Sequence, residues 1–129
     1  MRIDHVGIWT DDLERLSTFY KNYFGARVGA LYENPARQFE SRFLEFESGA
    51  RIEIMKTGAF EPDALQAGRQ RMGLAHLAIS LGSESRVDEL TKRLMDDGHP
   101  VVDGPRRTGD GYYESVILDP DGNRIEVTV

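Results

Sequence analysis

The stretch "SRFLEFESGARIEIM" at residues 41–55 occurs a second time, with changes, as "ESVILDPDGNRIEVT" at residues 114–128. The two copies align without a gap, and in both the triplet Arg-Ile-Glu begins two residues after a glycine, which places Glu53 over Glu126. Each copy has two apolar-rich segments separated by a turn-forming "ESGA" or "DPDGN", which is typical of a β-hairpin. The repeat therefore predicts two modules of the same fold in one chain.

The repeat extends toward the N-terminal side of each copy. The segment "DHVGIWT" at residues 4–10 matches "AHLAISL" at residues 75–81, with His5 over His76 and apolar residues in the same alternating places. This alternation predicts that each module begins with a β-strand.

An amphipathic helix is predicted after each first strand, because apolar residues recur there at intervals of three and four. Asp11 and Ser83 are the predicted N-terminal caps. Gly25 and Gly98 are the predicted stops, since a helix commonly ends at a residue with positive φ. The two helices occupy the same place in the two modules.

The predicted architecture is α+β, with two tandem βαβββ modules that form a metal-binding cleft. The first module covers residues 1–57 and the second covers residues 74–129. Residues 58–73 have no counterpart in the other module and are interpreted as a connector. At 129 residues the chain suits one domain built from the two modules.

Composition and charge exclude several classes of function. The net charge is −6, with no long run of Lys or Arg, so a nucleic-acid partner is not expected. The absence of cysteine excludes disulfides, thiolate metal sites and a cysteine nucleophile. No apolar run is long enough to span a bilayer, and the N-terminal residues are typical of a strand and not of a signal peptide. A soluble, cytoplasmic protein without a membrane partner is the expectation.

Strand alternation places four polar side chains on the sheet faces that the helices do not cover. In each module the apolar residues of the first and last strands share the face that the helix covers. His5, Glu53, His76 and Glu126 therefore lie on the opposite sheet faces, and two such faces placed together form one polar cleft. A single exposed His or Glu is commonly a plain surface residue. Two imidazoles and two carboxylates at matched places instead suit the first shell of a divalent metal.

The segments "DHVGIWTDDLERLSTFYKNYFG" and "LDPDGNRIEV" resemble the vicinal oxygen chelate superfamily, which includes glyoxalase I, bleomycin-resistance proteins and extradiol dioxygenases. The resemblance covers essentially the whole chain. It implies paired βαβββ modules, a metal on the floor of a cleft, and usually a homodimer. The ligand positions of the family fall on His5, Glu53, His76 and Glu126, and this His/Glu/His/Glu set is nearest to glyoxalase I (lactoylglutathione lyase).

The resemblance implies a metal-dependent lyase or isomerase, and the ligand count fits that chemistry. Four protein ligands leave two positions of an octahedral ion for two neighbouring oxygens of one substrate. The ion would stabilise negative charge on these substrate oxygens while a proton is moved next to a carbonyl, as on a hemithioacetal or an α-hydroxycarbonyl compound. By resemblance to glyoxalase I, Glu126 is the expected base, with Glu53 assisting. Ni²⁺, Co²⁺ or Zn²⁺ is the expected ion, with Fe²⁺ or Mn²⁺ as alternatives.

The resemblance to glyoxalase I fails at the residues that hold glutathione. Bacterial glyoxalase I normally has an Arg four residues after the first His and an Asn four residues after the first Glu. Trp9 and Thr57 stand at these places. The sequence therefore predicts that glutathione is not the preferred thiol, while the ligand set is intact. Trp9 has the strand parity of His5 and is a candidate wall of the substrate site.

Three further residues are candidates for substrate binding. Arg51 and Arg124 share the faces of the two glutamates, where they either orient a ligand or pair with the carboxylates. Tyr113 lies in the region before the final hairpin, which often closes over such clefts.

Two alternative functions remain open at this point. One is another chemistry on the same fold, such as addition of a thiol or water to a fosfomycin-type epoxide, or ring cleavage by a dioxygenase. Ring cleavage is disfavoured, because the additional carboxylate fills a position that oxygen or catechol needs. The other alternative is a drug-binding protein of the bleomycin-resistance kind, but such proteins typically lack the metal ligands.

Overall fold

The computed structural model describes residues 1–58 and 72–129. The chain forms two compact units, Met1–Ala64 and Leu65–Val129. The predicted connector at residues 58–73 lies outside the described residues except at its ends. Each unit is described by itself.

Within residues 1–58 the first unit has five strands, one α-helix and a short 3₁₀ turn. In chain order these are β1 His5–Trp9, α1 Leu13–Phe24, β2 Arg27–Val28, β3 Tyr32–Asn34, the 3₁₀ turn Pro35–Arg37, β4 Phe39–Glu45 and β5 Arg51–Thr57. The strand order is β1-β5-β4-β2, and β3 also pairs with β4. Strand β1 runs parallel to β5, while β4 is antiparallel to β5.

Helix α1 covers one face of this sheet. Leu16, Tyr20, Leu44 and Ile54 have no exposed surface, and they form the centre of the layer between helix and strands. The helix begins at Asp12, whose carboxylate accepts the backbone N–H of Arg15 at 2.9 Å.

The end of α1 agrees with the sequence prediction, but its start does not. Gly25 ends the helix with φ 66°, as predicted. The predicted N-terminal cap, Asp11, was one residue early. The hydroxyl of Thr10 accepts the backbone N–H of Asp12 at 3.1 Å, which holds Asp12 in the capping position, and Asp11 pairs with Arg15 instead.

The second unit, as described from residue 72 onward, repeats this plan with four strands and one helix. In chain order these are β6 Leu77–Ser80, α2 Glu84–Asp96, β7 Val101–Arg107, β8 Tyr113–Leu118 and β9 Arg124–Thr128. The strand order is β6-β9-β8-β7, with β6 parallel to β9. The hydroxyl of Ser83 accepts the backbone N–H of Arg86 at 3.4 Å and caps α2, as the sequence predicts.

The two final hairpins form where the repeat predicts them. Gly49 and Gly122 both adopt positive φ, at 90° and 81°, in the turns before β5 and β9. In the second hairpin the buried Asp119 carboxylate accepts the backbone N–H groups of Asp121 and Asn123 at 3.0 and 2.9 Å. These turns set the register that carries the two glutamates.

Two sheets and two helices in the predicted order confirm the α+β fold class. The units differ in one strand. The strand after the helix is continuous in the second unit as β7, but it is broken into β2 and β3 in the first, where both pieces pair with β4.

Candidate metal centre

The first donor pair lies on the sheet face of the first unit that is opposite to α1. In the parallel ladder of β1 and β5, His5 lies opposite Arg51 and Gly7 lies opposite Glu53. His5 and Glu53 are therefore diagonal neighbours on one face, and the His5 Nε2 atom is 3.6 Å from Glu53 Oε2. The imidazole is 42% exposed and the carboxylate is 20% exposed.

The second unit places an equivalent pair in the equivalent ladder. Ala78 of β6 lies opposite Glu126 of β9, and His76 precedes the strand by one residue. The His76 Nε2 atom is 3.1 Å from Glu126 Oε2, with exposures of 39% and 23%. The structure thus brings the four predicted residues together as two His–Glu pairs, one in each unit, and each pair is reachable from solvent.

Each pair has the donor spacing that one metal ion requires. Two donors at about 2.1 Å from an ion and at right angles to each other lie roughly 3 Å apart. The separations of 3.6 and 3.1 Å are close to that value. Within the two described ranges no three His, Asp or Glu side chains form a group that would hold a metal ion. The described residues supply two donors in each unit.

A carboxylate and a guanidinium surround the imidazole of the first pair. Asp4 Oδ2 is 3.0 Å from His5 Nδ1 and 2.5 Å from the Arg51 guanidinium. The hydrogen bond with His5 and the contact with Arg51 lower the pKa of Asp4 to about 2. Arg51 is therefore engaged by Asp4, and its guanidinium also lies 4.3 Å from the centre of the Phe43 ring.

Aromatic side chains extend along the same face of the first unit. The His5 and Phe43 rings are perpendicular to each other, with centroids 5.4 Å apart. Trp9 and Tyr32 each contact Phe39 with centroids 6.2 Å apart, and they are 46% and 56% exposed. These three side chains, Trp9, Tyr32 and Phe39, are called the aromatic patch below.

Charged side chains surround the second pair instead. Strand register puts Glu114 on the same sheet face as Glu126. Burial and the charge of Glu126 raise the pKa of Glu114, while Arg106 opposes this shift. Arg106 donates to Asp103 at 2.7 Å, and that hydrogen bond lowers the pKa of the Asp103 carboxyl. The charge of Arg124 also lowers the pKa of Asp103, so Arg124 interacts electrostatically with Asp103.

Tyr113 lies away from the second donor pair. Ser115 and Tyr113 alternate with Glu114 along β8 and face α2, where the Tyr113 hydroxyl donates to Asp88 at 2.6 Å. Tyr113 was predicted to bind substrate, but its side chain lies on the side of α2 and not on the sheet face that carries Glu126.

Asp4 and Glu114 were not identified from the sequence as neighbours of the donor pairs. Asp4 adjoins His5 in the sequence, and this adjacency was an available signal. Glu114 is brought beside Glu126 by the pairing of β8 with β9, which depends on the register of the hairpin. Of the described helices, none is long and apolar enough to cross a membrane.

The chain belongs to the Glyoxalase/Bleomycin resistance protein/Dioxygenase superfamily, whose profile matches residues 2–127. This match confirms the resemblance inferred from the sequence. Members of the superfamily typically use a divalent metal, bind small molecules and commonly form dimers.

Individual relatives are distant. A lactoylglutathione lyase of Haemophilus influenzae is 27% identical over 127 residues, which cover 98% of this chain and 90% of that protein. An uncharacterised Bacillus subtilis protein, YqjT, is 37% identical over 62 residues, about half of each chain (46% and 48%). Among solved structures, a glyoxylase/bleomycin resistance protein/dioxygenase domain from Frankia sp. has a TM-score of 0.83 at 18% identity, covering 100% of this chain and 97% of that one. That likeness concerns the fold.

Proposed function

We propose that this protein is a metal-dependent lyase or isomerase that moves a proton on a small substrate with two neighbouring oxygens. One observation carries the proposal: the same His–Glu pair occurs on the exposed face of both units, with Nε2 and Oε2 separated by 3.6 and 3.1 Å. Two matched pairs with ligand spacing are much harder to attribute to ordinary surface residues than one pair is.

The proposed ligands are His5, Glu53, His76 and Glu126. A divalent ion held by these ligands would supply Lewis-acid charge that stabilises the negative charge developing on substrate oxygens. Ni²⁺, Co²⁺ or Zn²⁺ suits this mixed nitrogen and oxygen donor set, and Fe²⁺ or Mn²⁺ is an alternative. A homodimer is the proposed assembly. A cytoplasmic location is proposed as well.

Glu126 is the proposed base, and Glu53 is proposed to assist it. A carboxylate that carries a proton between two carbons needs freedom to move and to change its protonation. Glu53 lies beside His5, whose other ring nitrogen contacts Asp4, and Asp4 in turn accepts a hydrogen bond from Arg51. His76 follows Ala75, which offers no such side-chain contact. The imidazole of the second unit therefore lacks that support, and Glu126 is assigned the role of base on the resemblance to glyoxalase I.

The substrate is proposed to be bound partly by the aromatic patch. Trp9 lies on the strand of His5 and keeps 46% of its surface exposed, so it can pack against an apolar part of a substrate. Thr57 lies on the strand of Glu53. Neither residue supplies the positive charge that a glutathione carboxylate calls for. Arg124, whose charge lowers the pKa of Asp103, is the basic side chain that we propose for binding a negatively charged group of the substrate.

A second candidate function, binding of a flat small molecule without catalysis, is favoured by the aromatic patch alone. Exposed rings of this kind stack well on planar ligands. The two His–Glu pairs have no role in that function, so the catalytic proposal accounts for more of the structure.

The test is a substrate panel with and without added metal. Hemithioacetals, α-hydroxyketones, acyl-CoA thioesters and fosfomycin are incubated in deuterium oxide, and deuterium uptake next to the carbonyl is followed by NMR. Metal-dependent uptake on at least one carbonyl compound supports the proposal. If fosfomycin is the only compound consumed, and only when metal is present, the protein is instead assigned the addition of a thiol or water to an epoxide. Tight binding of planar compounds without any conversion assigns the binding function.

A further inference from the structure

The two histidines of the donor pairs differ in what lies on the other side of the ring. His5 Nδ1 is 3.0 Å from Asp4 Oδ2, and the same oxygen is 2.5 Å from Arg51 Nη2. The backbone N–H of Arg51 also donates to the Asp4 carbonyl at 3.1 Å. Asp4 is thus held by Arg51 at two points, through its side chain and through its main chain.

This geometry determines which nitrogen of His5 carries the proton. An ionised aspartate only accepts hydrogen bonds, and a carboxyl group of ordinary pKa near 4 is ionised at neutral pH. The proton between the two side chains therefore belongs to Nδ1. In the neutral ring Nε2 is then left with its lone pair, 3.6 Å from a Glu53 oxygen that also offers only lone pairs. Two acceptors that face each other repel unless a donor or a cation lies between them, and a metal ion bound by both meets that need.

We propose that Asp4, held by Arg51, is a positioning residue that keeps His5 in the Nδ1–H tautomer and directs Nε2 toward the ion. The inference rests on the proposed function only for the presence of the ion. Arg51 is then a support for this contact and does not bind substrate. A carboxylate behind a ligating imidazole typically accounts for roughly 10- to 100-fold in metal affinity.

The second unit provides an internal comparison. The residue before His76 is Ala75, and His76 Nε2 lies 3.1 Å from Glu126 Oε2, which is hydrogen-bond distance. In the metal-free protein His76 is therefore expected to carry its proton on Nε2 and donate it to Glu126. The two imidazoles should show opposite tautomers before metal is added.

The primary experiment reads the tautomers directly in the full-length, metal-free protein. Long-range proton–nitrogen NMR at about pH 8.5, where an ordinary imidazole is neutral, distinguishes the two ring nitrogens of each histidine. His5 should be Nδ1–H in the wild type and should move to Nε2–H in Asp4→Ala. Asp4→Asn keeps an acceptor oxygen and should retain much of the Nδ1–H form. Asp11→Ala is the matched control, because Asp11 also pairs with an arginine but contacts no histidine.

Metal affinity is then measured for the same variants by competition with a chelator, using Zn²⁺ and Ni²⁺. Asp4→Ala should weaken binding roughly 10- to 100-fold, while Asp11→Ala should leave it unchanged. A wild-type His5 in the Nε2–H form, or a tautomer that Asp4→Ala does not alter, overturns the inference even if metal binds. A tautomer that shifts in a protein that binds no metal supports the role of Asp4 and refutes the proposed function.

Discussion

The donor pairs of the two units have the same residues in the same register but different surroundings. In the first unit His5 is flanked by Asp4, and the aromatic patch extends along the sheet beside it. In the second unit His76 follows Ala75, and Glu126 shares its sheet face with the partly buried Glu114. The repeated backbone places the His and Glu side chains, while the neighbouring side chains differ between the two units.

The helix-to-sheet layers differ in the same way. In the first unit Tyr20 fills the layer and is fully buried. The corresponding place in the second unit holds Thr91, whose hydroxyl donates to the Val87 carbonyl at 2.7 Å and lies 2.6 Å from the Ser115 hydroxyl. An aromatic ring in one unit is thus replaced by a buried polar pair in the other.

The largest expected effect concerns whether the two pairs act together. If both bind one ion, elemental analysis of the reconstituted protein should find about one metal per chain, and removal by a chelator should abolish turnover. His5→Ala and His76→Ala should each abolish stoichiometric binding. About two ions per chain would show that the pairs act separately, and a value that stays near zero after reconstitution would refute the metal site.

The second prediction distinguishes the catalytic roles of Glu126 and Glu53. Glu126→Gln keeps the shape of the side chain but removes the proton acceptor, so it should lower kcat roughly 10²- to 10⁴-fold while part of the metal affinity remains. Glu53→Gln is the matched variant in the other unit and should lower kcat less. Single-turnover deuterium exchange measures the chemical step in both. A larger loss in Glu53→Gln would exchange the assigned roles.

The third prediction uses the aromatic face of the first unit. Because Trp9 and Thr57 replace the groups that would hold glutathione, kcat/KM for the glutathione adduct of methylglyoxal should be roughly two to four orders of magnitude below that for the preferred substrate. Trp9→Arg combined with Thr57→Asn should raise it. Efficient turnover of the glutathione adduct by the wild type would show that these two residues do not exclude it.

A stability effect follows from the buried hydroxyl pair of the second unit. Thr91→Val leaves the buried Ser115 hydroxyl without its side-chain partner and should lower the free energy of unfolding by about 1–3 kcal/mol. Ser115→Ala should cost less, because Thr91 still donates to Val87. The double variant should be less destabilised than the sum of the two. Urea unfolding monitored by circular dichroism measures all three, and strictly additive losses would argue against the hydrogen bond.

The smallest expected effect is the pH dependence from Glu114. Burial and the charge of Glu126 raise its pKa above the ordinary value of 4.5, so the folded state favours the protonated form. Its ionisation therefore destabilises the fold above the raised pKa, and this cost disappears as the pH falls to the ordinary value. In chelated protein Glu114→Gln should raise Tm at about pH 7 and have little effect below about pH 4.

Glu89→Gln provides the control for that measurement, since Glu89 is exposed on α2 of the same unit. A Tm gain in Glu114→Gln that is constant across the pH range would show that charge is not its cause. An equal gain in Glu89→Gln would attribute the effect to net charge of the whole protein.

Much of the fold was predictable from local patterns. Apolar spacing located both helices, and Gly25 and Gly98 marked their ends, because a residue with positive φ is needed there. The start of α1 was misplaced by one residue, since both Asp11 and Asp12 have the chemistry of a cap. Which of the two caps the helix is decided by the contact between Thr10 and Asp12, and sequence spacing does not contain that contact.

The sequence by itself determined the two modules and the sheet faces on which their His and Glu residues lie, because alternation along a strand and a repeated hairpin are local properties of the chain. Only the tertiary structure decided what surrounds each pair. Tyr113 faces α2 and not Glu126, Arg51 is engaged by Asp4, and Glu114 lies on the face of Glu126. These relations depend on strand register and on packing between distant segments, which bring together side chains that no local pattern connects.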